Sequence, residues 1–387
     1  MAITFVRAKN VFVRVAVVSC LVLTLSCDRK SSVADGDRVV IGAILPLTGT
    51  GAVWGENSRK GMELARKEVN ATGGINGKKL EIVYEDTQGF PQVAVSAIKK
   101  LISVDKVQVV LGCATSSATL AAAPIAKRNH VVLFSPGASS PKLSDAGPYF
   151  FRNFPSDAIE APEIARMVFK KLNVKMVAIL YVNNEFGKGQ EQAFRQEFEH
   201  LGGKVVATEA FAQEASDFRT QITKIKDSNH EAIFLPGYPR EMSTVLRQLA
   251  ESGIKVPIVC PSAVVDDKLL QISGKVVEGV IFADQRPADT NIPSVSHFLR
   301  SYRETYHEEP RILTDTSYDA VKLVAKCITE AGNSGPAIQD ALASTKDYPG
   351  AIGLTTFNEH GEIVKTPVFK KVENGKIVLF WDNSPAN

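Results

Sequence analysis

The sequence lacks the motifs of the common metal, nucleotide and nucleophilic enzymes. Its 387 residues contain only six histidines, and none belongs to an H-E-x-x-H pattern. There is no C-x-x-C pair and no phosphate-binding loop of the G-x-x-x-x-G-K type. We therefore expect no metal, no cofactor and no nucleotide chemistry.

Long apolar runs are scarce after the N-terminus. Arg7, Lys9 and Arg14 precede the apolar run VAVVSCLVLTLS, which is typical of a signal peptide over residues 1–26. This run has twelve residues, whereas a membrane-spanning helix needs about 20, and no later stretch approaches that length. The rest of the chain is predicted to be an exported, soluble body.

Net charge of one sign is absent from the mature chain. The whole sequence has 45 basic and 42 acidic residues, and removing the three basic residues of the signal peptide leaves 42 of each. Such a balance lacks the basic surface by which proteins bind nucleic acid. We expect no nucleic-acid partner.

Cysteine is rare, with five in the whole chain. Cys27 follows LTLS, which resembles a bacterial lipobox, so we predict a lipidated periplasmic protein tethered to a membrane only through that anchor. Cys20, after VVS, is a rival, but it would leave only about five apolar residues after Arg14. An ordinary cleaved signal peptide with a chance cysteine is the other alternative. The later cysteines, expected to be buried with at most one disulfide, are Cys113, Cys260 and Cys327.

Apolar strands alternate with amphipathic helices along the first part of the mature chain. Strands in such an alternation are buried on both faces and pair in parallel, which predicts a doubly wound α/β domain. The predicted strands are 39–46, 79–86, 107–112 and 131–136, with helices near 55–70, 91–104 and ending near 128.

The same pattern restarts after the segment PYFFRNFPSD. About 360 mature residues exceed one ordinary core, so two similar domains with a cleft between them are expected. A hairpin-rich tail with turns at NEHGE and VENGK closes the chain. The predicted strands here are 176–183, 204–211, 231–237, 257–261 and 279–284, followed by helices near 294–307 and 316–331.

Hydroxyl-bearing turns follow two successive strands of the first domain. GCATSSATL places Ser116 and Ser117 at the start of a predicted helix, and FSPGASSP places Gly137, Ser139 and Ser140 after the next strand. Ligands of open α/β sheets bind beyond the carboxyl ends of the strands, and free N–H groups at a helix start attract anions. Each serine run alone is more often a helix cap, but the two together favour a carboxylate site.

Aromatic residues follow strand ends in both domains. Trp54 lies in GTGAVWGEN, Phe186 in NNEFGKG and Tyr238 in LPGYPRE. A cleft that closes over a small molecule needs flat, rigid walls. Any one of the three would be core packing more often than a ligand contact, but their corresponding positions favour a binding site.

The chain also resembles a known family over nearly all of its mature length. IGAILPLTGTGAVWGENSRKGMELARKEVNATGGINGKKLEIVYEDTQ, and later SPGASSP, GYPREMSTVLRQLAESG and SYDAVKLVAKCI, are similar to the leucine/isoleucine/valine-binding proteins. These are periplasmic substrate-binding components of ABC importers. The resemblance implies a type I periplasmic binding fold: two doubly wound parallel-sheet lobes, joined by a three-crossover hinge, close around one solute without covalent chemistry.

The resemblance also implies a division of the chain, with crossings between lobes near residues 155, 285 and 348. The signal peptide is followed by a tether over 27–38. Lobe 1 is expected to comprise 39–155 plus 285–348, and lobe 2 to comprise 156–284 plus 349–387.

Site residues follow from the resemblance by motif position. Ser116 and Ser139 look like the residues that hold an amino acid's α-carboxylate, with the Gly137 carbonyl toward the α-ammonium. The aromatic positions that wall the pocket are matched by Trp54, Phe186 and Tyr238.

One position departs from the family pattern. Leucine-type members place an acidic side chain, which pairs with the ammonium, where this chain has Ser262. Either another acid compensates, or the ligand has no ammonium there. Asp315 and Glu185 are the candidate substitutes, although each is more often a helix cap or a solvated loop acid.

Three functions remain to be compared. The first is a binding component that delivers an amino acid or another small carboxylate to an ABC permease. The second is a ligand sensor of the same fold, although no signalling or DNA-binding segment is attached. The third is an exported serine hydrolase, which is disfavoured because GCATSSA lacks the G-x-S-x-G elbow and no histidine is placed to assist.

Overall fold

The computed structural model describes residues 37–49, 51–262, 269–270, 274–285 and 288–382. The predicted signal peptide, Cys27 and nearly all of the predicted tether lie outside these residues. Across the described ranges, no helix combines the length and apolarity needed to cross a bilayer.

The first part of the chain alternates strands and helices as predicted. Its one unpredicted strand is the fifth, which falls in the segment PYFFRNFPSD. The strands are β1 (Arg38–Leu45), β2 (Lys79–Asp86), β3 (Val109–Gly112), β4 (Val132–Ser135) and β5 (Phe150–Arg152). The helices between them are α1 (Ala52–Ala71), α2 (Pro91–Ser103) and α3 (Ser116–Arg128).

The second part repeats the alternation. It begins with α4 (Asp157–Arg166), which continues as a π-helical turn over Met167–Lys171. The strands that follow are β6 (Met176–Val182), β7 (Lys204–Phe211), β8 (Ala232–Phe234), β9 (Ile258–Cys260) and β10 (Ile281–Asp284). The intervening helices are α5 (Glu185–His200), α6 (Arg219–Lys226) and α7 (Pro239–Glu251).

The last part of the chain adds helices and two hairpins. The sequence predicted the first two of these helices but not the third. The helices are α8 (Pro293–Tyr306), α9 (Thr314–Ala331) and α10 (Gly335–Ala343). The strands are β11 (Tyr348–Gly350), β12 (Gly353–Thr355), β13 (Val368–Glu373) and β14 (Lys376–Trp381).

Two sheets divide these strands. One sheet has five parallel strands in the order β2-β1-β3-β4-β5. The other has seven strands in the order β14-β13-β10-β9-β8-β6-β7, in which the tail hairpin β13–β14 is antiparallel to its neighbours. Strands β3 and β4 are buried along their whole length, as expected of parallel strands covered by helices on both faces. The predicted fold, two doubly wound α/β lobes, is confirmed.

Packing shows where the chain passes between the lobes. The sheet-1 core includes residues of α8 and α9 and extends to Phe357 and Ile363, whereas Val368 begins a strand of the second sheet. We therefore propose that the third crossing lies within 364–367 rather than near 348, because the hairpin β11–β12 and the segment after it pack on lobe 1. The first two predicted crossings stay as predictions: residue 155 lies between β5 and α4, and residue 285 directly follows β10.

Local sequence fixes the helix starts that face the cleft. The Ser156 hydroxyl accepts a hydrogen bond from the Ala158 N–H at the start of α4. The Asn184 side chain accepts hydrogen bonds from the N–H groups of Phe186 and Gly187 at the start of α5. Serine and asparagine side chains at these positions accept hydrogen bonds from backbone N–H groups of the first helical turn, which have no partner within the helix.

Candidate functional site

A cavity lies between the two lobes, beyond the carboxyl ends of the strands. Its empty volume, counted together with the space that is open to solvent, is about 370 Å³. Seven of the eight residues predicted to bind ligand line it, and only Asp315 does not. The full lining is Trp54, Ala114, Thr115, Ser116, Gly137, Ser139, Phe154, Glu160, Phe186, Tyr238, Ser262 and Leu313.

The two hydroxyl-bearing turns of lobe 1 are joined by hydrogen bonds. Ser116 Oγ accepts from the backbone N–H of Ser139 at 3.3 Å and of Ser140 at 3.1 Å. Ser135 Oγ donates to the Cys113 carbonyl at 2.7 Å and fixes the two strand ends to each other. Because Ser116 Oγ already accepts two bonds, its own hydrogen remains for a third partner. The expectation that these turns lie side by side is confirmed.

Thr115 is a wall residue that sequence reasoning missed. It immediately precedes α3, and its hydroxyl is buried without a hydrogen-bond partner among the described residues. The backbone N–H groups of the first turn of α3 start at the same place, and such groups attract anions. Thr115 directly precedes Ser116 and Ser117 in GCATSSATL. The same hydroxyl-rich turn therefore indicated it, but only the two serines were predicted as site residues.

The aromatic wall connects the two lobes. The Trp54 ring, from lobe 1, meets Tyr238 edge-on at a centroid distance of 5.0 Å. Tyr238 in turn stacks on Phe186 at 5.8 Å with an interplanar angle of 12°. Its hydroxyl accepts a hydrogen bond from Asn184 Nδ2 at 2.9 Å, and burial raises the pKa of this phenol. These three side chains form an apolar wall held in one orientation.

The second lobe places a buried acid, Glu160, in the cavity wall. This residue was not predicted. Its Oε1 accepts from Gln190 Nε2 at 3.0 Å and from the Ser262 backbone N–H at 3.1 Å. Burial raises its pKa. Ser262 therefore lines the cavity as predicted and also hydrogen-bonds to the acid that faces it.

Asp157, one helical turn before Glu160, is the second buried acid here. Gln190 Nε2 also donates to Asp157 Oδ1 at 2.7 Å. The Asp157 backbone N–H donates to the Ser139 carbonyl at 2.7 Å, which ties the start of α4 to the hydroxyl-bearing turn of lobe 1. Burial, together with the nearby charge of Glu160, raises the pKa of Asp157 to about 8.

The expected substitutes for an acid at position 262 lie elsewhere. Asp315 sits in the first turn of α9, where its Oδ1 accepts from the Thr316 N–H, so it acts as a local helix-start acid and does not line the cavity. Glu185 pairs with Lys142 at 2.8 Å on the rim. The expectation that either faces the ligand is not met, because local hydrogen bonding and ion pairing hold both side chains.

The lobes contact each other around the cavity. The Glu185 backbone N–H donates to Ser117 Oγ at 3.1 Å, and the Lys142–Glu185 pair also joins lobe 1 to lobe 2. The structure is therefore a closed arrangement in which both lobes supply the wall.

The raised pKa of Asp157 predicts a pH effect on stability. The folded protein keeps a proton on Asp157 that the unfolded chain releases, so the contribution of this residue to the free energy of unfolding falls as pH rises from about 4 to about 8. We expect the urea midpoint of ligand-free protein to be lower at pH 8 than at pH 5.5. Asp157→Asn should show a shallower decline.

A control for this effect is Asp319, in α9, whose pKa burial raises to about 7. Its carboxylate accepts from the N–H groups of Ala351 and Ile352, and none of these three residues lines the cavity. Its titration should therefore persist in Asp157→Asn. Equal pH slopes for wild type and Asp157→Asn would contradict the assignment.

Comparison with known proteins places this geometry in a family. A family model described as "Periplasmic binding protein" matches residues 38–376. An "Amino acid binding protein" of Pseudomonas aeruginosa is 30% identical over 351 residues, covering 89% of this chain and 90% of that protein.

Solved structures agree. The branched-chain amino acid transporter substrate-binding protein LivJ of Streptococcus pneumoniae, in complex with isoleucine, superposes with a TM-score of 0.80 at 34% identity over 88% of this chain and 97% of that one. A solute-binding protein of an ABC transporter from Rhodopseudomonas palustris, in complex with 3,4-dihydroxybenzoic acid, superposes with a TM-score of 0.78 at 25% identity over 89% and 97%.

The cavity offers hydrogen-bond donors, a buried acid and aromatic walls, and no histidine lines it among the described residues. Ser116 Oγ is engaged by two backbone N–H groups rather than by a base, so the hydrolase alternative has no support. The chain belongs to the periplasmic binding protein family and is a solute-binding protein of that family rather than an enzyme.

Proposed function

We propose that the protein captures a small carboxylate-bearing solute, an amino acid of the branched-chain type or a related acid, between its lobes and delivers it to an ABC permease. One observation carries the proposal: residues of both lobes, at the ends of β3, β4, β6, β8 and β9, converge on one cavity. Hinge closure around a solute needs such a shared wall.

The carboxylate is assigned to the lobe 1 wall. Ser116, Thr115 and the start of α3 present donors there, and the lobe 1 wall of the cavity contains no acidic side chain among the described residues. Donors around a buried carboxylate form charge-assisted bonds, which are stronger than neutral ones. Gly137 allows close backbone approach, since a β-carbon there would lie 2.9 Å from the Leu313 side chain.

The cellular setting follows from the family and the N-terminal sequence. The family is extracytoplasmic, and we place the protein in the periplasm. A signal peptide over 1–26 and lipidation at Cys27 would anchor it to a membrane; both lie outside the described residues. Sensing by the same fold is the second candidate function, and transport is preferred because the similar solved structures include the branched-chain amino acid transporter substrate-binding protein LivJ of Streptococcus pneumoniae.

Truncating the serine donors is the direct mutational test. Ser116→Ala and Ser139→Ala should each weaken carboxylate binding by about tenfold, because each removes one hydrogen bond to a charged group. Isothermal titration calorimetry measures the change, and circular dichroism checks that the fold is retained. Ser96→Ala, an exposed serine on α2, is the control. Unchanged affinity in both cavity variants would remove the carboxylate assignment.

Ligand identity is tested by native mass spectrometry of freshly purified protein, followed by thermal unfolding with a panel of amino acids and small carboxylates. A ligand that binds only the folded state raises the unfolding temperature in proportion to its occupancy. Absence of a shift with every acid in the panel, together with no retained mass, would contradict the proposed function.

A further inference from the structure

Glu160 is a buried carboxylate whose hydrogen bonding is incomplete. Its side chain lies in the first turn of α4, is 4% exposed and lines the cavity. Gln190 and Ser262 both donate to Oε1, whereas Oε2 has no partner among the described residues. A buried polar atom without a partner is costly and identifies a place where a ligand group can bind.

Glu160 also has no cationic side chain beside it among the described residues. Arg152, the buried arginine closest in sequence, is engaged by Glu362 at 2.6 Å. Around Glu160 the titratable neighbours are acids: Asp157 on the same helix and Asp284 at the end of β10, which pairs with Lys370. A buried carboxylate next to other acids needs a compensating positive charge when it ionises.

The opposite wall of the cavity, from lobe 1, presents hydrogen-bond donors instead of an acidic acceptor. There the donors are the Ser116 and Thr115 hydroxyls and the N–H groups at the start of α3. The two walls are close, because the Asp157 N–H bonds to the Ser139 carbonyl at 2.7 Å and Glu160 lies one helical turn further on. A donor wall and an acceptor wall that line the same cavity and are joined by this contact suit a ligand that carries both a carboxylate and an ammonium group.

The remaining walls are apolar. Trp54, Phe154, Phe186, Tyr238 and Leu313 surround the space between the polar walls. Such walls bind an aliphatic or aromatic side chain and exclude a charged one.

From these contacts we infer that Glu160 is the specificity-determining acceptor for the ammonium group of an α-amino acid with an apolar side chain. The inference rests on the proposed function and narrows its ligand class. Ser262 then supports the acid through its backbone N–H instead of carrying the charge itself. The loss of an acid at position 262 is compensated from the first turn of α4.

The test compares acids that differ only in the amino group. Calorimetry is run on wild type and Glu160→Gln with two pairs of probes: L-leucine with 4-methylpentanoate, and L-phenylalanine with 3-phenylpropanoate. Whichever of L-leucine and L-phenylalanine wild type binds more tightly, it should bind that amino acid at least tenfold more tightly than the deaminated acid of the same pair. Glu160→Gln should weaken amino acid binding by about 10- to 100-fold, because a charge-assisted bond is lost, and should leave the deaminated acid unchanged or tighter.

Glu241→Gln is the matched control. Glu241 is also buried in the first turn of a helix, α7, with an unpartnered Oε2, but it bonds to the Glu214 N–H and does not line the cavity. Its substitution should leave the preference for amino acids intact. Circular dichroism confirms that both variants are folded.

A measurement on wild type keeps the inference testable if Glu160→Gln does not fold. Because burial raises the pKa of Glu160, amino acid affinity should increase as pH rises above the ordinary glutamate range and then level off, while affinity for the deaminated acid should not increase.

The outcomes separate the two proposals. Equal or tighter wild-type binding of the deaminated acids, unchanged amino acid affinity in a folded Glu160→Gln, or the same pH profile for both probes would overturn the role of Glu160 and leave solute binding standing. Failure of all four acids to bind wild type would overturn the assignment of an apolar α-amino acid as the ligand, and the proposed function falls only if the wider panel of carboxylates also gives no thermal shift and no mass is retained.

Discussion

Replacing Arg152 with methionine is expected to lower the free energy of unfolding by about 3–5 kcal/mol, because it leaves the Glu362 carboxylate buried without its cation. The Arg152 side chain is fully buried and bonds to Glu362 Oε1 at 2.6 Å. Its other amino group donates to the carbonyls of Ser140 at 2.9 Å and Ala138 at 3.3 Å. Urea unfolding at pH 7 measures the loss.

The same contacts connect stability with binding. Ala138 and Ser140 flank Ser139, so Arg152 holds the hydroxyl-bearing turn against the segment that contains Glu362. The variant should therefore also weaken carboxylate binding, although Arg152 does not line the cavity. Loss of stability with wild-type affinity would contradict this link.

Arg303→Met is the matched control. Arg303 makes three hydrogen bonds to Glu309, but this pair is exposed. Exposed ion pairs contribute little because water screens them, so we expect a change below about 1 kcal/mol. A loss in Arg152→Met no larger than in Arg303→Met would show that the buried pair does not stabilise the fold.

Replacing Phe357 with alanine is expected to cost about 3–5 kcal/mol, the usual penalty for truncating a buried aromatic side chain. Its ring packs against Phe134 at a centroid distance of 5.7 Å and against Phe151 at 5.4 Å. If the segment before residue 364 belongs to lobe 1, amide hydrogen exchange should accelerate in β4 and β5 and not in β6 and β8. Mass spectrometry of peptides from the four strands measures the difference.

Phe218→Ala is the matched control, which should accelerate hydrogen exchange in the second lobe instead of the first. Phe218 is buried in the second lobe and packs edge-on against Phe211 at 5.0 Å. Its truncation should accelerate exchange in the second sheet first. Faster exchange in β6 and β8 after Phe357→Ala would contradict the proposed third crossing.

Most of the fold could be predicted because its strands are short apolar runs separated by amphipathic helices. The bounds of β2 and β7 were predicted to the residue. The strand β5 was not, since FFR is only three residues long and is followed at once by the crossing. The third crossing that we propose, within 364–367, lies later than the predicted one near 348, because the local sequence of the apolar residues in 351–363 does not indicate which sheet they pack on.

The candidate site also contains residues that could be predicted from the sequence and one that could not. Residues directly after strand ends, such as Ser116 and Tyr238, could be identified because strand order brings those ends together. Glu160 could not, since it lies inside a helix with the pattern of an ordinary solvated acid. Only the packing of α4 against Gln190 and Ser262 turns its carboxylate toward the cavity.

The edge-on contact between Trp54 and Tyr238 has a practical consequence. The whole chain has two tryptophans, and the other, Trp381, lies at the end of the edge strand β14, in the second sheet. A solute that enters or leaves the cavity changes the surroundings of one indole only. With Trp381→Phe as background, the emission spectrum of Trp54 becomes an optical signal of cleft occupancy that requires no added dye.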